Sequence, residues 1–74
     1  MLDFEHLLSV TLIAKSRGVS EWRDFSRRER AFVAMALNRA DWLSEDALSM
    51  GQAMDLIGPD LLGLVTAVET AVAR

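Results

Sequence analysis

The chain has 74 residues, of which 51% are hydrophobic and 26% are charged, and its formal net charge is −3. Domains usually contain roughly 100 to 200 residues, so this length predicts one small domain, residues 1–74, and excludes a second. The chain has no cysteine and one histidine. These counts exclude a disulfide framework and leave too few ligands for a zinc site, so we expect no bound metal.

The beginning of the chain does not resemble a secretion signal. Asp3 and Glu5 stand where such a signal has basic residues. The longest run without a polar residue is 31–37, much shorter than the roughly 20 residues that cross a bilayer. We therefore expect a cytoplasmic protein without a transmembrane helix.

The residue types favour helices throughout. Ala, Leu, Met, Glu and Arg are abundant, and the hairpin dipeptides Asn-Gly and Asp-Gly do not occur. The sequence predicts an all-α fold, a compact bundle of about four short helices that we expect to be oligomeric. The predicted helices cover residues 2–16, 26–40, 41 or 44 to 57, and 60–72, and residues 20–25 form a short helical turn or an ordered loop.

The first predicted helix has an unusually broad apolar surface. Phe4, Leu8 and Leu12 follow an i, i+4 spacing, Ile13 extends the surface, and Gly18 ends the helix. A surface helix of a monomer normally keeps one polar half. We therefore predict self-association through Phe4, Leu8, Leu12 and Ile13.

The second predicted helix occupies the centre of the fold. Ser26 followed by Glu29 is a capping box, which marks its start. Residues 31–37 are apolar on nearly every side, which is typical of a helix that is contacted from several directions.

The last two predicted helices are separated by Gly58 and Pro59. Asp41 or Ser44 is expected to cap the third helix, and Asp60 the fourth. Three methionines, at positions 35, 50 and 54, can either fill the core or line an adaptable binding groove.

Charge is distributed unevenly along the chain: residues 1–14 carry a net charge of −2, residues 15–40 a net charge of +4, and the rest −5. The basic segment contains aromatic residues, a combination that suits recognition of carboxylates or phosphates. We expect one of the two tryptophans to stay partly exposed until a partner covers it. The predicted partner-binding residues are Trp22, Arg23, Phe25, Arg27, Arg28, Arg30 and Trp42. Alternatively, the arginines are balanced by acids of the same chain.

Residues 14–20, AKSRGVS, resemble part of a helix-turn-helix domain, in which an Ala commonly stands four residues before a turn Gly that Val-Ser follows. The resemblance covers these seven residues. It implies binding to nucleic acid through the basic region 17–30.

The chain offers few groups for catalysis, because it has one His, no Cys and no Tyr. We predict that it is not an enzyme and has no cofactor. We expect a small protein-interaction module that acts as an adaptor, an assembly factor or a stoichiometric inhibitor of a larger protein. Its size and helix pattern are similar to those of small accessory proteins of phages and mobile elements. The alternative is a nucleic-acid-binding regulator that uses Arg17 to Arg30.

Overall fold

The computed structural model describes residues 2–73, and every regular element in that range is helical. The prediction of an all-α fold is confirmed. The number of helices differs from the predicted four, since residues 2–73 contain seven helical segments. In chain order they are α1 (Phe4–Arg17), α2 (Val19–Trp22), α3 (Arg27–Ala36), α4 (Ala40–Glu45), α5 (Met50–Ile57), α6 (Pro59–Leu62) and α7 (Val65–Val72).

Helix α1 begins and ends close to the predicted positions. Asp3 caps it, because its carboxylate accepts a hydrogen bond of 2.9 Å from the backbone N–H of His6. Gly18 ends it with φ of 84°, and its N–H donates to the carbonyl of Ala14 at 2.7 Å. The left-handed region is open to glycine at little cost, so Gly18 can turn the chain directly into α2.

Helix α3 begins with the predicted capping box and ends earlier than expected. Ser26 and Glu29 exchange hydrogen bonds between side chain and backbone at 3.0 and 3.3 Å. The helix stops at Ala36 because Asn38 has φ of 56°, and the N–H of Arg39 reaches back to the carbonyl of Ala34 at 2.7 Å. Asparagine is one of the few residues that adopts this conformation readily.

The third predicted helix is divided into α4 and α5. Ala47 has φ of 56°, and the N–H of Leu48 bonds to the carbonyl of Leu43 at 2.9 Å, which closes the end of α4. Ser49 and Gln52 then form a second capping box that starts α5. The break therefore arises from local backbone geometry that hydrophobic spacing does not report.

Two predicted caps are wrong. Neither Asp41 nor Ser44 caps α4, whose N-cap is Arg39 without a side-chain hydrogen bond. Asp60 lies inside the first turn of α6, whose N-cap is Gly58. Both acids lie inside a first helical turn, where the helix dipole favours negative charge.

The predicted fourth helix is also divided. Pro59 occupies the start of α6, which ends at Leu62, and α7 begins at Val65. Val68 and Val72 are the buried residues of α7, and they follow the predicted i, i+4 spacing.

Helix α3 lies at the centre and contacts α1, α4, α5 and α7. Its apolar residues Phe32 and Val33 are fully buried, as is Thr11 on α1. The Thr11 hydroxyl donates a hydrogen bond of 2.6 Å to the carbonyl of Leu7, so burial leaves it satisfied. The expectation of a central second helix is therefore confirmed.

The helices enclose a small core, with a Cα radius of gyration of 10.8 Å. Between residues 2 and 73, no helix is long and apolar enough to cross a membrane. Within the same range, no group of three or more His, Cys, Asp or Glu side chains is arranged to hold a metal ion.

Candidate interaction surfaces

The two tryptophans lie against each other in the core. Their ring centroids are 5.2 Å apart and their planes are inclined by 38°. Trp22 is 0% exposed and Trp42 is 4% exposed. The indole N–H of Trp22 donates to the carbonyl of Arg30 at 2.9 Å. The expectation that one tryptophan remains exposed is wrong, because α2 places the first indole against α3 and α4 brings the second to it.

Arg30 uses its donors within the chain. Its Nε donates to Asp46 at 2.8 Å and its Nη1 to the carbonyl of Phe25 at 2.7 Å. The guanidinium carbon lies 6.0 Å from the ring centroid of Trp22, at the limit of a cation–π contact. Arg30 therefore joins α3 to the turn after α2 and to the end of α4.

Two more of the predicted partner-binding arginines are engaged in the same way. Arg28 donates from Nε and Nη2 to the carbonyl of Ile57 at 2.9 and 2.6 Å. Arg23 forms an ion pair with Glu45 at 2.5 Å. For Arg23 and Arg30, these contacts fit the alternative that acids of the same chain balance the arginines, whereas Arg28 is bound by a backbone carbonyl.

Arg27 differs from its neighbours. Its side chain is exposed and lines a shallow pocket beside Leu48 and Asp55. Between residues 2 and 73, no hydrogen bond or ion pair involves that side chain. Phe25 is half-buried against the core. A role of Arg27 in partner binding stays a prediction.

Arg39 is held over the second tryptophan. Its guanidinium carbon lies 4.8 Å from the ring centroid of Trp42, and its Nη2 donates to Asp41 at 2.9 Å. The hydrogen bond from Arg39 outweighs desolvation and lowers the pKa of Asp41 below its ordinary value. Both groups are solvent-exposed, so the pair orients the guanidinium and adds little stability.

The exposed apolar side of α1 is called here the helix-one surface and consists of Phe4, Leu8, Leu12 and Ile13. Phe4, Leu12 and Ile13 are 37%, 45% and 39% exposed, and Leu8 is half-buried. The first three positions of the stripe, Phe4, Leu8 and Leu12, follow one another at four-residue intervals along the helix. Phe4, Leu8 and Leu12 therefore lie along one side of α1, whereas Ile13 lies about 100° further round the helix than Leu12, beyond the exposed polar strip of Glu5, Ser9 and Ser16.

A second surface feature, called the methionine groove, lies between α3, α4, α5 and α7 and is lined by both apolar and polar residues. It has a volume of about 260 Å³ and is lined by Met35, Leu43, Met50 and Val65, with Arg39 and Glu69 among its polar residues. Met50 is 49% exposed. Pockets for drug-sized ligands and cofactors usually have a volume of about 300 to 1,000 Å³. This groove is smaller and has room for a few side chains.

Sequence reasoning found the groove only in part. It named Met35 and Met50 as possible lining residues, but Met54, which is 40% exposed, does not line it. Leu43, Val65 and Glu69 were missed because they come from α4 and α7, and nothing in their local sequence indicates that these helices meet.

His6 connects two helix starts. Its Nε2 hydrogen-bonds to Glu29, the same carboxylate that completes the capping box of α3. Partial burial alone would raise the pKa of Glu29, but hydrogen bonds from His6 and Ser26 together lower it below 4.5. The arrangement ties α1 to α3 and has the character of a structural contact.

Comparison of the chain with protein-family models, with curated proteins and with solved structures finds no match. The candidate surfaces are therefore described by their chemistry alone. The helix-one surface presents apolar side chains, whereas the methionine groove combines apolar side chains with polar and charged ones.

Proposed function

We propose that this protein is a non-enzymatic protein-interaction module, and that the methionine groove binds an apolar segment of another protein. The observation that supports this is the exposure of Met50 beside a groove of side-chain size. Met50 is exposed and Met35 and Val65 are half-buried, so the groove presents a small apolar area of the kind that partner side chains can cover. Methionine is flexible and polarisable, so Met35 and Met50 can adjust to the shape of a bound side chain.

The charged residues of the groove suggest the kind of segment it accepts. Glu69 is exposed, and no ion pair or hydrogen bond of its side chain occurs within residues 2–73. Arg39 is already paired with Asp41. The groove therefore offers one negative charge to a partner, which favours an apolar segment with a Lys or Arg beside it.

Binding to nucleic acid is supported less well. Arg23, Arg28 and Arg30 make contacts within the chain, so fewer guanidinium groups remain for phosphates. The net charge of −3 also opposes association with a polyanion. A role as adaptor, assembly factor or inhibitor would follow from the identity of the partner.

The test is photo-crosslinking in cells of the source organism, with a benzoylphenylalanine placed at position 50 or, as a control, at position 20. Ser20 is exposed and lies on α2, outside the groove. We expect a discrete protein adduct from position 50 and none from position 20. Equal labelling from both positions would contradict the proposal.

Once the adduct is identified, affinity is compared for Met50→Gln and Met54→Gln. The two methionines lie on the same helix and are similarly exposed, but only Met50 lines the groove. A central apolar contact commonly contributes about 2 kcal/mol, so Met50→Gln should weaken binding by roughly 30-fold while Met54→Gln leaves it nearly unchanged. Equal affinity of the two variants would place the contact elsewhere.

A further inference from the structure

Another pocket lies between the end of α1 and the start of α4. It is called the lysine pocket and has a volume of about 210 Å³. Its lining residues, which come from these two helices and from the turns beside them, are Ala14, Lys15, Gly18, Leu37, Arg39 and Trp42. Arg39 also lines the methionine groove and is the one lining residue that the two pockets share.

The lysine pocket combines an apolar floor with a positively charged rim. The floor consists of Ala14 and Trp42, which are buried, and Leu37, which is half-buried. Lys15 and Arg39 are exposed and form the rim. Acids outnumber bases by 11 to 8 in the whole chain, yet both charged residues that line this pocket, within the described part of the chain, are basic. A lining of this kind attracts an apolar group that carries a negative charge.

Both cations are held by contacts that leave some of their donors free. Nζ of Lys15 donates a hydrogen bond of 2.8 Å to the carbonyl of Val72, the last residue of α7. A carbonyl carries no formal charge, so the ammonium keeps its full charge and two further N–H donors. Nε and Nη2 of Arg39 donate to Asp41 at 3.1 and 2.9 Å, and Nη1 makes no hydrogen bond within residues 2–73.

Lys15 supplies the excess positive charge of the pocket, because Asp41 offsets the charge of Arg39. The carboxylate of Asp41 does not line the pocket. The guanidinium carbon of Arg39 lies 4.8 Å from the ring centroid of Trp42, and this contact orients the free Nη1. Contacts within the chain therefore already restrain both cations, which reduces the conformational entropy that a ligand must remove from them.

We propose that the lysine pocket binds the C-terminal residue of another protein, where that residue has an apolar side chain. The terminal carboxylate accepts hydrogen bonds from Lys15 and from Nη1 of Arg39, and the side chain covers Trp42 and Leu37. A terminal residue joins one apolar side chain to one carboxylate, which matches the floor and the rim of the pocket. The volume is below the roughly 300 to 1,000 Å³ of pockets for drug-sized ligands, so one residue fits and a longer segment does not.

The test is an NMR titration of the isotope-labelled full chain with N-acetyl-leucine, which has the side chain and the carboxylate of a C-terminal leucine. The amide signal of Gly18 and the indole signal of Trp42 should shift. We expect a dissociation constant on the order of 10⁻³ M for a ligand of about 12 non-hydrogen atoms. N-acetyl-leucinamide lacks the negative charge and N-acetylglycine lacks the apolar side chain, so each should bind about fivefold more weakly or worse.

Variants of two cations in the last turn of α1 separate this pocket from a general attraction to positive charge. Lys15→Gln should weaken the binding of N-acetyl-leucine about tenfold, because it removes a charged hydrogen-bond donor. Lys15→Arg keeps the charge and should retain most of the affinity. Arg17→Gln is the matched control and should leave the constant unchanged, since Arg17 lies in the same turn but does not line the pocket. Circular dichroism establishes that each variant retains its helices.

Met50→Gln should also leave this constant unchanged, because Met50 lines only the methionine groove. The two proposals can therefore fail independently of each other. Unshifted Gly18 and Trp42 signals at about 20 mM N-acetyl-leucine, roughly tenfold above the expected constant, would overturn the proposal.

Two ligand comparisons use the unmodified chain and so do not depend on how a variant folds. Equal binding of N-acetyl-leucine and N-acetyl-leucinamide would contradict the role of the carboxylate. Equal binding of N-acetyl-leucine and inorganic phosphate would contradict the role of the apolar side chain and reduce the pocket to a site for any anion.

Discussion

The guanidinium of Arg28, in the first turn of α3, donates two hydrogen bonds to the carbonyl oxygen of Ile57, the last residue of α5. The carbonyls in the last turn of a helix lack partners within the helix and carry partial negative charge. Arg28 satisfies one of them with a full positive charge. A side chain that the sequence indicated as a partner contact is therefore a connection between two helices.

Replacing Arg28 should destabilise the fold. Arg28→Ala removes both hydrogen bonds and should lower the free energy of unfolding by about 1 to 2 kcal/mol, because bonds to charged groups are stronger than neutral ones. Urea denaturation followed by circular dichroism measures the change. Arg27→Ala is the control and should remain within roughly 0.5 kcal/mol of the wild type. Equal losses in both variants would contradict the role of Arg28.

Two glycines should respond to alanine with opposite signs. Gly58 has φ of 87°, and a Cβ there would lie 3.1 Å from Nη2 of Arg28, so Gly58→Ala should cost about 1 to 2 kcal/mol. Gly51 lies within α5, and a Cβ there meets no atom within 4 Å. Gly51→Ala should therefore stabilise the protein by about 0.5 to 1 kcal/mol. Thermal unfolding should give a lower midpoint than the wild type for Gly58→Ala and a higher midpoint for Gly51→Ala.

Ala47 lies in the left-handed region, which is unfavourable for a residue with a Cβ. Ala47→Gly should stabilise the protein by about 0.5 to 1 kcal/mol, since the relief of backbone strain exceeds the added entropy of the unfolded chain. Ala67→Gly, on the exposed side of α7, is the matched control and should destabilise by about 1 kcal/mol. A loss of stability in both variants would refute the argument.

Acid should weaken the contact between α1 and α3. The folded-state pKa of Glu29 is lowered below its ordinary value of 4.5. The stability that depends on its ionised form is present above pH 4.5 and is lost as pH falls through the lower, folded-state pKa. Glu29→Gln keeps a capping residue but cannot titrate, so its unfolding free energy should change less between pH 6 and pH 3. Identical pH profiles for the two proteins would argue against this contribution.

Trp22→Ala should act on folding before it acts on binding. Truncation of a fully buried tryptophan usually costs about 3 to 5 kcal/mol, which is comparable to the whole stability of so small a domain. We expect the helical circular dichroism signal to decrease strongly at 25 °C. We also expect the amide hydrogens throughout α3 to exchange with solvent. If the Trp22→Ala protein folds and has lost only partner binding, the prediction that Trp22 contacts the partner would be supported instead.

Much of the local structure was determined by residues close together in the sequence. Local hydrogen bonds form the capping box of Ser26 and Glu29 and the end of α1 at Gly18. The burial of α3 follows from its periodic apolar residues. These features were predicted correctly because each is decided within a few residues. The exposed apolar side of α1 was predictable for the same reason.

Only the tertiary structure decided which groups the arginines and tryptophans contact. Arg28 reaches Ile57 across 29 residues of sequence, and Arg30 reaches Asp46 across 16. Arginine and tryptophan suit a binding surface and an internal contact equally well, so composition cannot separate the two. The separation depends on which helices pack together, and the breaks at Ala47 and Asn38 direct that packing through backbone angles. For this reason the sequence predicted the helices and the apolar side of α1, while the methionine groove and the internal contacts of the arginines and tryptophans emerged only from the assembled fold.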